Sequence, residues 1–137
     1  MLKKFIILAY LGTPLKLHLT NISAANVFTG YGEGYVMINN QRHERNLVVL
    51  RDRLLTDWEA PSFDELDAAH FAMIAELKPE ILLLGTGSRL RFPRPEITRA
   101  LVEAGIGVEV MDVQAACRTY NFLAAEERVV AAALLFT

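Results

Sequence analysis

The sequence predicts an α/β fold: a single three-layer domain with a mixed sheet, made of an N-terminal antiparallel β portion and a C-terminal β-α-β-α-β unit. Short strand-like runs fill the first half of the chain. Near Ser62 the spacing of apolar residues changes from alternation to a helical period. After residue 80, apolar strands alternate with amphipathic helices, an order that implies parallel strands joined by right-handed crossovers.

A chain of 137 residues is the size of one domain, which we expect at residues 15–137 behind an N-terminal tail at residues 1–14. The net charge is −2, so the chain has no overall positive field and nucleic acid is not expected as a partner. Cys117 is the single cysteine, which excludes an internal disulfide and indicates a reducing compartment.

The N-terminal residues bear on localisation. Lys3 and Lys4 precede an apolar run, Phe5–Leu11, that is far too short to cross a bilayer. That run could be the apolar part of a secretory signal, but no small-x-small cleavage site follows it closely. A cytoplasmic protein without a membrane span is therefore expected, with export as the alternative.

Strands of the antiparallel portion are expected through the first half of the chain. In Leu15–Thr20 apolar and polar residues alternate, as they do in a half-buried strand. Asn39 and Asn40 lie between two strand-like runs, and asparagine tolerates the positive φ that a two-residue hairpin turn needs. The meander is expected to continue through further strands at Val27–Tyr31, residues 46–50 and residues 53–58.

The first helix is expected to begin at Ser62, which forms a capping-box pattern with Glu65. Apolar residues then recur at helical spacing until Pro79 ends the pattern. His70 interrupts this stripe and is expected to be a hydrogen-bonded core or boundary residue. Trp58 and Phe63 are expected to pack over this helix.

The second half alternates strands and helices. Ile81–Leu84 is a continuous apolar run of the kind covered on both faces of a sheet. A helix is expected at Pro95–Ala104, with proline in its first turn and Gly105 after its end. Asp112 is expected to cap a third helix that runs to about Ala125. The remaining strands are predicted at Gly107–Met111 and Arg128–Leu135.

The stretch ILLLGTGSRLRFPRPE, residues 81–96, raises the question of a phosphate-binding loop. Leu90 stands where a dinucleotide loop needs its third glycine, and the stretch has no lysine for a Walker loop. The next helix begins about eight residues after Gly87, too late for its first amides to cradle a phosphate. A nucleotide-binding loop is therefore disfavoured.

Gly85 and Gly87 are instead interpreted as a tight strand exit in which Cβ atoms would clash. Two functional interpretations stay open beside this structural one: a backbone-lined pocket for a small anion, and a protein-binding loop. Arg89, Arg91 and Arg94 favour these two slightly, although arginines in a loop are usually solvated surface residues.

Glu109 is expected in a central strand, between two valines, where an unpaired carboxylate would be costly. Arg118 on the next helix is the candidate partner in a buried ion pair. The functional alternative is a pocket carboxylate with a raised pKa. Arg118, Thr119 and Asn121 fall off the apolar stripe of that helix and could face a groove, whereas Cys117 lies on the stripe and is expected to be a core residue.

Three stretches carry a resemblance to a known family: Leu84-Gly85-Thr86-Gly87, Glu109-Val110-Met111-Asp112, and Ala115-Ala116 followed by Arg118-Thr119-Tyr120-Asn121. From about Leu15 to Leu135 the chain resembles the small bacterial and mitochondrial proteins related to mitochondrial complex I assembly factor 3. The resemblance implies a three-layer α/β fold and no established catalytic residues. For mitochondrial members it implies assembly through protein partners. Because the N-terminus does not resemble an amphipathic targeting segment, a bacterial member is expected.

The sequence shows no nucleophile–base pair, metal-ligand spacing or nucleotide loop, so no catalytic residue, metal or cofactor is predicted. The expected function is non-catalytic, protein-binding or assembly-factor-like, with a protein partner; self-association is left open. The alternative is a small-molecule or anion-binding protein, which could be an enzyme, using the Gly85–Gly87 loop and the Asp112–Asn121 region. The candidate pocket or interaction residues are Gly85, Thr86, Gly87, Arg89, Arg91, Glu109, Asp112, Arg118, Thr119 and Asn121.

Overall fold

The computed structural model describes residues 25–56 and 58–136. The predicted tail and the strand predicted at Leu15–Thr20 lie outside the described residues, and the domain boundary between them stays a prediction. The described elements are, in order, β1 (Phe28–Gly32), β2 (Tyr35–Ile38), β3 (Gln41–His43), β4 (Leu47–Leu50), β5 (Arg53–Leu55), a 3-10 helix (Phe63–Glu65), α1 (Ala68–Glu76), β6 (Ile81–Thr86), α2 (Pro95–Glu103), β7 (Gly107–Met111), α3 (Val113–Ala125) and β8 (Val130–Leu135).

Strands β1, β2 and β3 form a small antiparallel sheet in that order. Its second turn is made by Asn39 and Asn40, with φ values of 51° and 66°. Both residues therefore adopt the left-handed conformation that a two-residue hairpin of this twist requires. The hairpin predicted from the two asparagines is confirmed.

The second sheet has the strand order β5-β4-β8-β6-β7. Strand β6 runs parallel to β7 and β8, whereas β4 runs antiparallel to β5 and β8. The expected continuous meander is wrong, because β4 pairs with β8 rather than with β3. The reason is burial: all four residues of β4 are buried, and such a strand needs neighbours on both sides and cover on both faces. The C-terminal β-α-β-α-β unit is confirmed.

The five-stranded sheet separates two apolar cores, so the fold has three layers as predicted. One face is covered by α1 and α2, which contribute Phe71, Ile74, Ile97 and Leu101. The other face is covered by α3 and the small sheet. Along β6 the side chains of successive residues alternate between the two cores, the pattern that a doubly covered strand requires.

Helix α1 begins later than predicted. Ser62 makes no capping hydrogen bond, and the short 3-10 helix that follows it ends at Leu66, which is extended and buried. Because Leu66 is extended and buried, the 3-10 helix does not continue into α1. Helix α1 begins at Ala68, with Asp67 as its N-cap. The carboxylate of Asp67 accepts hydrogen bonds from the amides of Ala69 (3.0 Å) and His70 (3.3 Å).

The His70 prediction is confirmed. The Nδ1 atom of His70 accepts a hydrogen bond from the Asp67 amide at 3.0 Å, which completes a capping box. Its Nε2 atom lies 3.0 Å from the carbonyl oxygen of Glu59, and its ring meets Trp58 edge-on. Within residues 25–56 and 58–136, no helix is long and apolar enough to cross a bilayer.

Candidate interaction surface

The end of β6 is a close approach between a strand and a helix. A Cβ atom on Gly85 would lie 2.8 Å from Cδ2 of Leu134 and 3.2 Å from the backbone of Val113, at the start of α3. The Leu134 side chain would have to shift, and the Val113 backbone would lie closer than in nine of ten real Cβ contacts, so a side chain at position 85 is disfavoured. The close approach predicted at Gly85 is confirmed. The clash predicted at Gly87 is wrong, because a Cβ atom there would meet no atom closer than 3.5 Å; its positive φ is what favours glycine.

Thr86 anchors the loop that follows. It is buried, its hydroxyl donates to the carbonyl oxygen of Arg89 at 2.7 Å, and it accepts from the amide of Arg91 at 3.1 Å. The guanidinium of Arg91 donates to the Thr86 carbonyl oxygen at 3.0 Å and lies over the Phe63 ring, 4.6 Å from its centre. Arg91 therefore points back into the protein and holds the loop in one conformation.

Around these anchors the loop turns apolar side chains to solvent. Leu90 is 51% exposed and Phe92 is 70% exposed, and the exposed residues Arg89 and Arg94 flank them. We call Arg89, Leu90, Phe92 and Arg94 the exposed loop surface. Sequence reasoning missed the two apolar members. The available signal was apolar residues alternating with arginines in a proline-closed stretch between a strand and a helix.

The carboxyl end of β7 is organised differently. Asp112 alone connects β7 to α3, and its carboxylate accepts from the amide of Ala115 at 2.8 Å, which confirms the predicted cap. The carbonyl oxygen of Gly87 accepts from the amide of Val113 at 3.0 Å. Gly87 has a φ of 89°, which is the left-handed region that glycine adopts without strain. Gly85, Gly87 and Asp112 thus come together at the start of α3.

A cleft of about 530 Å³ opens at the carboxyl ends of β6 and β7. It lies where the parallel strands end, the usual position of a ligand in an open α/β sheet. Of the predicted site residues, Gly87 and Asp112 line the cleft, whereas Arg89, Arg91 and Arg118 are not among its lining residues. The described residues lining it are Gly32, Glu33, Gly34, Gly87, Ser88, Asp112, Val113, Gln114 and Phe136.

Arg118 and Asn121 attach the small sheet to α3. The side chain of Asn121 accepts from the Phe28 amide at 2.9 Å and donates to the Phe28 carbonyl oxygen at 2.8 Å. Arg118 donates to the hydroxyl of Tyr31 at 3.3 Å, and this hydrogen bond raises the pKa of Arg118. Both residues thus contact β1, while Thr119 between them is half-buried.

The predicted environment of Glu109 is wrong. Its strand, β7, is at the edge of the five-stranded sheet and not at its centre, and the Glu109 side chain is exposed. Glu109 and Arg118 form no ion pair, since Arg118 contacts Tyr31 on the other sheet. An exposed carboxylate on an edge strand needs no partner, because water solvates it, and it discourages pairing with another strand.

Burial governs the chemistry of Cys117. Its side chain is completely buried, and burial raises the pKa of the thiol from 9.0 to about 12. The thiolate form is therefore scarce at neutral pH, and the prediction that Cys117 is a core residue is confirmed. Among the described residues, no group of three or more His, Cys, Asp or Glu side chains is arranged to hold a metal ion.

Comparison with known proteins identifies relatives of this chain. The model of the family described as "Protein of unknown function (DUF498/DUF598)" matches residues 28–135. The chain is 33% identical over 128 residues to NADH dehydrogenase [ubiquinone] 1 alpha subcomplex assembly factor 3 of Danio rerio, covering 92% of this chain and 73% of that protein. In three other vertebrate proteins of the same name, the match spans 45%, 46% and 48% of their length.

Two bacterial proteins are also similar. The "13 kDa major membrane protein" of Francisella tularensis is 29% identical, with 83% of this chain and 94% of that protein covered. A crystal structure of a Bordetella parapertussis protein is 40% identical and superposes with a TM-score of 0.78 over 83% of this chain and 98% of that one. The three-layer α/β fold and the resemblance stated from the sequence are therefore confirmed.

Proposed function

The chain belongs to the family described as "Protein of unknown function (DUF498/DUF598)", and from this membership we propose that it is a non-catalytic, assembly-factor-like protein that acts by binding another protein. The relative from Danio rerio carries the name of an assembly factor, and assembly requires protein contacts. Because this chain spans only about half the length of several relatives with that name, their whole activity enters here only as a proposal.

The exposed loop surface carries the proposal. Single exposed apolar residues are ordinary, but here Phe92 and Leu90 are exposed together on one short loop between arginines. Aromatic side chains, phenylalanine included, and arginine are enriched in protein interfaces relative to the rest of the surface. Thr86 and Arg91 hold the loop from within, so little conformational entropy is lost when a partner binds.

The charges indicate the chemistry of the partner. Arg89 and Arg94 flank the apolar side chains of the loop and are themselves exposed. A complementary surface has an apolar pocket for Phe92 and carboxylates at its rim. This arrangement predicts association that weakens as the salt concentration rises, because the charged pairs at the rim are screened.

The test compares two phenylalanines. Phe92 on the loop is 70% exposed and Phe122 on α3 is 63% exposed, so Phe122→Ala is a matched control for Phe92→Ala. A partner is first captured from the native host, identified by mass spectrometry and purified. Its affinity for the full-length chain is then measured by calorimetry. Phe92→Ala is expected to raise Kd at least about tenfold, Arg89→Glu by a similar factor, and Phe122→Ala by less than about twofold.

Different results would contradict different parts of the proposal. If the wild-type chain captures no partner under gentle conditions, the protein-binding role is wrong. If a partner binds and Phe92→Ala leaves its Kd unchanged, the role stands and the exposed loop surface is wrong. Arg91→Glu is unsuitable as a probe, because this arginine holds the loop through Thr86.

Small-molecule or anion binding, possible in the cleft at the end of the sheet, has weaker support. Glu33 and Asp112 line that cleft, and a carboxylate repels an anion. The Asp112 carboxylate also caps α3. A thermal-shift screen with phosphates, carboxylates and nucleotides tests this function. A ligand at 100 times its Kd would stabilise the protein by about 2.7 kcal/mol, and a screen without any such shift removes the alternative.

A cytoplasmic location is also part of the proposal. It is supported by the single buried thiol of Cys117, which suits a reducing compartment. Fractionation of the native host, with detection by antibody, is expected to recover the chain with the cytosolic proteins. Recovery with the membrane fraction would overturn this part and leave the binding role untouched.

A further inference from the structure

A groove lies between helix α1 and strand β5, apart from the exposed loop surface. It measures about 680 Å³, and its apolar floor is formed by Leu55, Trp58, Met73 and Leu77. Met73 and Leu77 lie one helical turn apart, so they present one face to the groove. Pockets that hold small molecules measure roughly 300–1,000 Å³, so several side chains fit here. We call this depression the α1 groove.

The rim of the α1 groove carries an excess of negative charge. Three exposed carboxylates line it, those of Glu59, Asp67 and Glu76. Arg53 is the one arginine or lysine among the described residues that line it. His70 also lines the groove, where its ring accepts a hydrogen bond from the Asp67 amide. An apolar floor behind an acidic rim suits an apolar segment that has positive charges beside it.

The exposed loop surface of the same chain has the complementary arrangement. Its apolar side chains, Leu90 and Phe92, are exposed, and the exposed Arg89 and Arg94 lie beside them. Hydrogen bonds to Thr86 hold the loop while Phe92 stays 70% exposed, so the loop does not fill the groove of its own chain. Each molecule therefore carries an apolar, basic loop and an apolar, acidic groove.

The two surfaces also match in length. Asp67 caps α1 and Glu76 is its last residue, so the two residues lie about 13 Å apart along the helix axis. Arg89 and Arg94 are five residues apart, and a chain of that length reaches at most about 17 Å. The two arginines can therefore lie at opposite ends of the groove with Phe92 between them.

We propose that the exposed loop surface of one chain docks in the α1 groove of a second copy, with Phe92 on the apolar floor and Arg89 and Arg94 at the acidic rim. The inference rests on the loop surface that the proposed function also uses, and it adds a second copy as an occupant. Because loop and groove are different surfaces, the contact is heterologous, and copies join into a closed ring or an open chain. One loop in one groove is a small interface, so self-association is weak and rises with concentration.

Analytical ultracentrifugation of the full-length chain over a range of concentrations tests this contact. The wild-type chain is expected to self-associate, and less so at high salt. Phe92→Asp removes the apolar anchor of the loop, and Glu76→Arg reverses a charge at the groove rim. Each is expected to raise the dissociation constant of self-association at least about tenfold. Phe122→Asp is the matched control, because Phe122 is 63% exposed outside both surfaces, and it changes the constant by less than about twofold.

A mixture of two variants distinguishes this contact from other forms of self-association. Phe92→Asp keeps an intact groove, and Glu76→Arg keeps an intact loop. Each variant alone is expected to be mainly monomeric. Mixed in equal amounts, with one of them fluorescently labelled, they are expected to form a heterodimer, because the groove of the first variant accepts the loop of the second. Circular dichroism checks that both variants are folded.

A wild-type chain that stays monomeric at every concentration overturns the inference and leaves the α1 groove to another occupant. Self-association that neither variant weakens, or a mixture that forms no heterodimer, rejects the loop-in-groove contact. These failures are separate from failure of the proposed function, which is decided by the capture of a different protein. Glu76→Arg lies outside the exposed loop surface, so it is expected to leave the Kd for such a captured protein unchanged.

Discussion

The connections that follow β6 and β7 begin at the same end of the sheet, but they differ in length and in what they contact. After β7 a single residue, Asp112, leads into α3 and caps it. After β6, residues 87–94 intervene before α2 begins, and two of them expose large apolar side chains. The short connection binds a helix to the sheet, and the long one presents a surface.

The difference shows how neighbouring strand ends take two roles: one docks a helix, and the other starts an exposed loop. Gly85 lets α3 approach β6 closely, one residue before the strand ends. The chain leaves the sheet after Thr86, and the hydrogen bonds between Thr86 and Arg91 fix the start of the loop. Substitutions at the two strand ends distinguish the docked helix from the anchored loop.

The largest effect is expected from Gly85→Ala. Its new Cβ atom would clash with Leu134 and with the backbone of Val113, so the free energy of unfolding should fall by about 1–3 kcal/mol. Gly107→Ala is the control in the neighbouring strand, because no atom lies closer than 3.7 Å to its Cβ position. Urea denaturation measures both. Equal losses would mean that the approach of α3 to Gly85 is not tight.

Thr86→Val is expected to act next most strongly. The substitution keeps the volume of the buried side chain but removes its hydrogen bonds to Arg89 and Arg91, at a cost of about 1–2 kcal/mol. Thr98→Val is the control, since the Thr98 hydroxyl bonds only within its own helix turn, to Pro95 at 3.3 Å. Urea denaturation and amide exchange in residues 88–94 report the result. An unchanged loop would remove the anchoring role of Thr86.

Asp112→Ala is expected to cost about 1 kcal/mol, because the Ala115 amide at the start of α3 loses its acceptor. Asp112→Asn keeps an acceptor oxygen at the same position and should preserve most of the stability. Thermal denaturation compares the two variants. If asparagine is as damaging as alanine, the charge of Asp112 matters more than its capping hydrogen bond.

The pH dependence of the free energy of unfolding tests whether Cys117 on α3 stays buried. Its pKa is about 12 in the folded protein and 9.0 ordinarily, so above about pH 9 the unfolded chain releases a proton that the folded chain retains. Stability due to this group is full below pH 9 and falls as the pH rises. Between about pH 9 and 10 the wild type should lose about 1 kcal/mol relative to Cys117→Ala.

Urea denaturation at both pH values provides the measurement for Cys117. The upper limit of about pH 10 keeps the contribution of Tyr120 small, because burial raises its pKa from 10.0 to about 12. Parallel stability curves for wild type and Cys117→Ala would show that the thiol is open to solvent in the folded protein.

The smallest effect concerns Glu109 and Arg118. Since Glu109 is exposed on the edge strand and Arg118 contacts Tyr31, their substitutions should be independent. A double-mutant cycle with Glu109→Gln and Arg118→Gln should give a coupling energy below about 0.5 kcal/mol. A coupling above 1 kcal/mol would restore the ion pair that the sequence suggested.

Local signals in the sequence predicted much of the fold. Asn39 and Asn40 marked their turn because few other residues adopt positive φ. Asp112 marked the start of α3 through a capping bond that spans only three residues. Such features depend on neighbours in sequence, so they can be read without the rest of the structure. The capping box at Ser62 failed because a distant demand, the burial of Leu66, outweighed it.

The candidate surface was less predictable. Residues at the end of β6 could be identified from their glycines, but the inward direction of Arg91 depends on Phe63, far along the chain. The exposure of Leu90 and Phe92 could not be read from their apolar character, which by itself predicts burial. Which side chains a loop turns outward is decided by the contacts that anchor it.

By itself the sequence determined the three-layer α/β class, the β-α-β-α-β order and the relation to the family, because periodicity, caps and motifs are local properties of the chain. The tertiary structure alone decided the strand order. It placed β8 in the middle of the sheet and β7 at its edge, and so exposed Glu109. Strand order follows from which faces are buried together, and that is a property of the whole packed molecule.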